Sequence, residues 1–140
     1  MISASRTGQD PGQAAEQSAS RTDLTMGELQ LMALHHAKPN EVVVLEPLGG
    51  DLKAARTTAI VKADHFEAIR LIVHADTEIS AHKVSGEITL HCLEGHVEIG
   101  LDSGPIVLRA NEWVYLQAGA SHSVKGIEDS ALLLTIYLDH

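Results

Sequence analysis

His82-Lys83-Val84-Ser85-Gly86-Glu87-Ile88-Thr89-Leu90-His91-Cys92-Leu93-Glu94-Gly95 reads as two strands joined by a tight reversal. An alternating strand presents His82, and Ser85-Gly86 supplies the turn, where a glycine accommodates the positive φ of a sharp reversal. Glu87 then opens a second strand that runs to the turn glycine Gly95. Further on, Gly119-Ala120-Ser121-His122 sets another histidine directly after a turn. Two imidazoles and a carboxylate at strand ends are the donors of a divalent-metal site or the partners of an acid–base pair.

Around this stretch the chain is punctuated into short β-rich runs. Val42–Leu45 is the first, closed by Pro47 and Gly49-Gly50, and Asp51–Arg56 reads as one helical turn. Strands follow over Thr57–Lys62, Phe66–Val73, Glu78–His82, Val97–Leu101, Pro105–Leu108, Trp113–Leu116, Ser123–Lys125 and Ala131–Leu138. Asp102-Ser103-Gly104 is a hairpin turn signal. In Phe66–Val73 one parity holds Phe66, Ala68, Arg70 and Ile72, and the other Glu67, Ile69, Leu71 and Val73. The last strand is apolar on both faces, at Leu132, Leu133, Leu134 and Ile136. About nine or ten strands at regular spacing predict an all-β barrel or sandwich.

Ahead of the strands, Thr25-Met26-Gly27-Glu28 forms a capping box, Leu29, Met32, Ala33 and His36 share a helical face, and Pro39 ends it. A short helix covering one sheet is expected. His35 and His36 point about 100° apart on it and do not grip one metal. Residues 1–22 are Ser, Ala, Gln, Gly and Thr with scattered charge, and read as a flexible tail. The domain is then 23–140.

The 140 residues carry a formal net charge of −9, which opposes nucleic acid or an anionic membrane as partner. No apolar run reaches membrane-spanning length, the N-terminus lacks the pattern of a signal peptide, and the single cysteine, Cys92, fits a reducing compartment. The expectation is a cytoplasmic protein. Its last strand needs cover on its outer face, either from the N-terminal helix or from a second subunit, and a homodimer is expected.

Between Asp76 and Gly126 the chain resembles the cupin superfamily, in particular its small single-domain cupin-2 and RmlC-like barrels. The first cupin motif runs Gly, five residues, His-x-His, three or four residues, Glu, six residues, Gly; here Asp76 holds the first position, His82 matches the first His, Val84 replaces the second, and Glu87 is separated from Gly95 by seven residues. The second runs Gly, five residues, Pro-x-Gly, two residues, His, three residues, Asn; Asn111 and Gln117 stand for Gly and Pro, Gly119 and His122 match in register, and Gly126 replaces Asn. Asn111 itself tolerates a left-handed turn conformation.

The resemblance implies a jelly-roll, or double-stranded β-helix, barrel. It also implies His82, Glu87 and His122 as a two-His, one-carboxylate set for Fe, Mn, Zn or Ni. Strand parity puts Val84 on the face of His82, and Thr89 and His91 on the face of Glu87. Turned inward, that face would set His91 about 13 Å deeper as a polar floor. Two functions follow: a metal-dependent enzyme of oxygenase or isomerase type acting on a small organic molecule, or a metal-free small-molecule binding or sensory barrel. No residue is assigned a catalytic role. Cys92, of opposite parity, reads as a buried inert thiol. Trp113 and Tyr115 read as core or interface packing, His96 as solvated, and His65 and His74 as surface or satisfied residues.

Overall fold

The structure of the protein, a computed structural model, describes residues 36–83 and 85–138, with residues 81–83 as backbone only. The expected tail and nearly all of the expected N-terminal helix lie outside these residues. No helix among the described residues is long and apolar enough to cross a membrane.

The β-branched and alternating runs form nine strands among the described residues: β1 Thr58–Lys62, β2 Phe66–Val73, β3 Glu78–Lys83, β4 Ile88–Glu94, β5 His96–Leu101, β6 Ile106–Arg109, β7 Trp113–Leu116, β8 Ser121–Gly126 and β9 Ser130–Tyr137. They make two antiparallel sheets, one in the order β1-β2-β9-β4-β7 and one in the order β3-β8-β5-β6. The fold is an all-β jelly-roll barrel. Aliphatic side chains from both sheets fill it, among them Leu71, Leu90, Ile99, Val124, Leu132 and Leu134, each at most 0% exposed.

The expected strand at Val42–Leu45 does not form. One backbone hydrogen bond among the described residues joins the chain to the β1 edge, from the Ala37 amide to the Ile60 carbonyl, and the chain reverses between Lys38 and Glu41. Val42–Leu45 then has no ladder to join, and apolar character alone does not make a strand. The helical turn over Asp51–Arg56 is a 3₁₀ helix over Gly49–Ala54. Its Leu52 packs on Ile72 and Ala131, over the outer side of the five-stranded sheet. The Glu94 carboxylate accepts the amides of Leu48 at 2.7 Å and Gly49 at 3.1 Å, a favourable place for negative charge at a helix start.

Turn chemistry holds the strands in register. Asp76 and Asn111, which stand where the motifs carry glycine, both adopt left-handed backbone, with φ 62° and 73°. Gly95, with φ 96°, begins the β4–β5 reversal, and a Cβ there would strike the Asp129 carbonyl and lie 2.6 Å from Ser130 Cα. Gly86 differs from expectation. It is not among the positive-φ residues; a Cβ on it would instead overlap the Tyr137 carbonyl. Close backbone approach, rather than φ, is what asks for glycine there.

Gly95→Ala is therefore expected to lower stability by more than about 3 kcal/mol, combining backbone strain with a clash. Gly49→Ala, with φ 55° and open space around the new Cβ, should cost only about 1 kcal/mol. Urea denaturation of the two variants checks the order.

Candidate functional site at the β3–β8 end of the barrel

The antiparallel β3–β8 ladder pairs Ile79 with Val124 and His82 with His122. One residue separates the partners on β8 while two separate them on β3, so β3 carries a bulge between Ile79 and His82. A one-residue insertion reverses the alternation. Position 82 thus stands opposite an inward-facing residue of β8, as position 79 does.

His122 is 2% exposed and shares the inward face of β8 with Val124 and Gly126. Its Nδ1 lies 3.2 Å from the Ala120 carbonyl oxygen. Against a carbonyl this nitrogen carries the proton, so in the neutral ring Nε2 holds the lone pair.

Glu87 lies in different surroundings. It is exposed, and its Oε2 accepts a 2.7 Å hydrogen bond from the Tyr115 hydroxyl. That bond raises the Tyr115 pKa above its ordinary 10.0, because ionising the phenol would set it against the carboxylate. The inward residue at this end of β4 is Ile88, 1% exposed, followed on the same face by Leu90 and Cys92, both 0%. Six residues separate Ile88 from Gly95 and seven separate Glu87 from it. The extra residue is one strand step, and one strand step changes the face. His91 shares the outward face, between Leu133 and Trp113 in register, so it is no floor to the interior.

The expected ligand set is therefore not brought together as read. Position 82 stands opposite His122; Glu87 turns to Tyr115; and Ile88 takes the inward place of a carboxylate. Among the described residues no three His, Cys, Asp or Glu side chains form a metal-holding group. The Glu87 carboxylate, bonded to Tyr115 outside the barrel, lies on the other side of the sheet from the inward His122.

One inward carboxylate was not singled out by motif reading. Glu67 is 4% exposed and faces inward on β2 with Ile69, Leu71 and Val73. A single inner row runs Glu67–Ile136–Ile88–Leu116 across β2, β9, β4 and β7. Because β3 leads through a short turn into β4, this row lies at the barrel end that carries position 82. Lys62 Nζ is 3.9 Å from Glu67 Oε2. The signal was present in the parity of Phe66–Val73, as a lone charge on an otherwise aliphatic face.

Of the remaining residues, His65 is exposed, while His74 and His96 are half-buried. Trp113 and Tyr115 are exposed rather than in the core. Cys92 is fully buried; burial first, and then the negative charge of Glu112, push its thiol from 9.0 up to about 11.

No protein-family model matches the chain, and no curated protein matches its sequence. Solved structures do match by shape. A cupin superfamily protein from Desulfitobacterium hafniense has a TM-score of 0.61 at 16% identity, over 74% of this chain and 100% of that one. A conserved protein of unknown function from Streptococcus pyogenes has 0.60 at 16% identity, over 77% and 96%. A cupin-2 conserved barrel domain protein from Leptotrichia buccalis has 0.56 at 19% identity, over 59% and 40%.

A raised thiol pKa makes Cys92 unreactive toward alkylating and disulfide reagents in the folded protein at pH 8, with full labelling only in denaturant. The neutral thiol is the form that burial favours, so its contribution to stability is complete below pH 9 and is lost as pH rises through about 11. Cys92→Ala should flatten that alkaline loss in a pH series of urea midpoints.

Proposed function

We propose that this chain, which has the fold of the cupin barrels, is a metal-free barrel that binds a small organic ligand at the end carrying Glu67, His82, Ile88 and His122, without catalysing its turnover. The observation that carries this reading is the face of β4: Ile88 turned inward and Glu87 held outside by Tyr115. Val84 at the second histidine position of the motif supports it from the sequence. Two of the donors a metal centre of this kind uses are then aliphatic. A ligand suited to the site has an apolar body, to lie against Ile88 and its aliphatic neighbours, and a polar end able to hydrogen-bond His122 and Glu67.

The opposed positions 82 and 122 support a competing reading, a divalent metal held by two imidazoles in a metal-dependent oxygenase or isomerase. One experiment separates the two. The purified protein is dialysed against Fe(II), Mn(II), Zn(II) or Ni(II) and analysed for metal, beside His122→Ala and the double variant Val84→His/Ile88→Glu. The wild type is expected to retain no stoichiometric metal. The double variant restores two donors and should gain one equivalent, with a metal-dependent rise in Tm, because a ligand that binds only the folded state stabilises it. One equivalent in the wild type, lost in His122→Ala, would overturn the metal-free reading.

A further inference from the structure

Before it enters β1, the chain runs as a strap over residues 37–48 along the outer side of the five-stranded sheet. Polar bonds fix the two ends of the strap. The Ala37 amide donates to the Ile60 carbonyl at 2.7 Å, and the Glu94 carboxylate accepts the Leu48 and Gly49 amides. Between those ends the strap joins no ladder, and Val42 is 87% and Val44 68% exposed. Apolar side chains left in water on such a stretch gain from apolar cover.

Between the strap and the sheet lies an apolar cavity of about 250 Å³, lined by Val43, Val44, Thr58, Ile60 and Arg70, among others. Arg70 is the one charged residue of that lining. It has the outward parity on β2, between the buried Ile69 and Leu71, so the sheet separates this cavity from the barrel interior and from His122. Its Nη2 makes a long 3.4 Å bond to the Glu46 carbonyl, and its Nε, shielded from solvent, has no hydrogen-bond partner among the described residues. No carboxylate among the described residues pairs with it, in a chain with 19 Asp and Glu. Nε–H and Nη2–H project from one edge of the guanidinium, the fork that matches the two oxygens of a carboxylate. That edge is the under-used one here. A cation held partly out of water with such poor pairing is destabilised, and an anion on the fork relieves it.

We infer that this cavity binds an organic monocarboxylate with an apolar body the size of a phenyl ring, its carboxylate on Arg70 and its body against Val43, Val44 and Ile60. The site is separate from the barrel pocket proposed above and does not depend on it. Charge selects the head group: one guanidinium, with no lysine in the lining, balances one negative charge. The chain's net charge of −9 opposes a more highly charged ligand such as a phosphomonoester dianion. Size selects the body. A closed apolar cavity of about 150 Å³ already accommodates benzene, and the larger volume here leaves room for the carboxylate. The ligand takes the place of the Glu46 carbonyl on Nη2 and supplies the acceptor that Nε lacks. The bond it displaces is the longest of those that fix the strap, and therefore the weakest.

Isothermal titration calorimetry of the full-length protein with phenylacetate at neutral pH tests the site. Phenylacetamide keeps the ring and lacks the charge; acetate keeps the charge and lacks the ring. The expected result is one site for phenylacetate, with a Kd of about 1 mM or tighter, and binding at least about ten-fold weaker for each of the other two. Arg70→Met keeps an apolar stem and removes the fork, while Val44→Asp, at a largely exposed position, puts a competing carboxylate into the same lining. Each should weaken phenylacetate binding at least about ten-fold, the effect of losing a charge-assisted bond, with a melting curve to show that the variant is folded. Lys125→Glu should leave binding unchanged, since it lies on the outer side of the four-stranded sheet among Glu78, Glu98 and Arg109. Absence of binding, as when residues 1–35 fill the cavity, would overturn the inference. So would phenylacetamide binding as tightly as phenylacetate, or phenylacetate binding that survives both Arg70→Met and Val44→Asp and so belongs to another site.

Discussion

The packing of β4 against β9 decides which side of the barrel each functional residue occupies. Ile88, Leu90 and Cys92 stand in register with Ile136, Leu134 and Leu132, and all six are buried. Each large aliphatic side chain so buried contributes roughly 1.5–3 kcal/mol. A one-residue slip would expose the whole set and turn Glu87, Thr89 and His91 into the core, where an unpaired carboxylate costs several kcal/mol. No other register competes. Glu87 is consequently an outer-surface residue that meets Tyr115, and among the described residues the inner surface at this end is aliphatic but for Glu67 and His122.

The same alternation produces the contrast between the two outer faces. With the aliphatic residues of β2, β4, β7 and β9 consumed by the interior, the residues left outside on these strands could have been charged, as they are on the other sheet. Most are aromatic, small or aliphatic instead, with Arg70, His91 and, past the β4 bulge, Glu94 as the exceptions. The 3₁₀ helix covers the end of that face near Ile72 and Ala131, and residues 43–46 lie beside its Thr58–Arg70 end.

Much of this was legible in the residues themselves. Phe66–Val73 and Trp113–Leu116 form strands with the expected bounds, because β-branched and aromatic runs bounded by turn residues leave little choice. Gly104 N–H bonds the Leu101 carbonyl in the expected hairpin turn, and Asn111 takes the left-handed conformation expected of it. The site was harder to read for two local reasons. The apolar set Ile88, Leu90 and Cys92 marks the inner face of β4 plainly, but aligning Glu87 with a motif carboxylate set that signal aside, although the one-residue difference in spacing already implied the opposite face. On β3, the bulge between Ile79 and His82 leaves no trace in the hydrophobic pattern, since Ser80 and Ala81 suit either side. Val42–Leu45 failed for a nonlocal reason: a strand needs a neighbour, and nothing in those four residues says whether one is there.

The inward or outward direction of Glu87 is the point on which the account turns. A crystal structure of the protein grown with Mn(II) or Zn(II), with diffraction recorded at the metal's absorption edge, measures it directly. The account predicts Ile88 packed inward, the Glu87 carboxylate hydrogen-bonded to the Tyr115 hydroxyl, and no anomalous peak between β3 and β8. A Glu87 carboxylate turned into the barrel, with an anomalous peak ligated by it and by His122 Nε2, would contradict it.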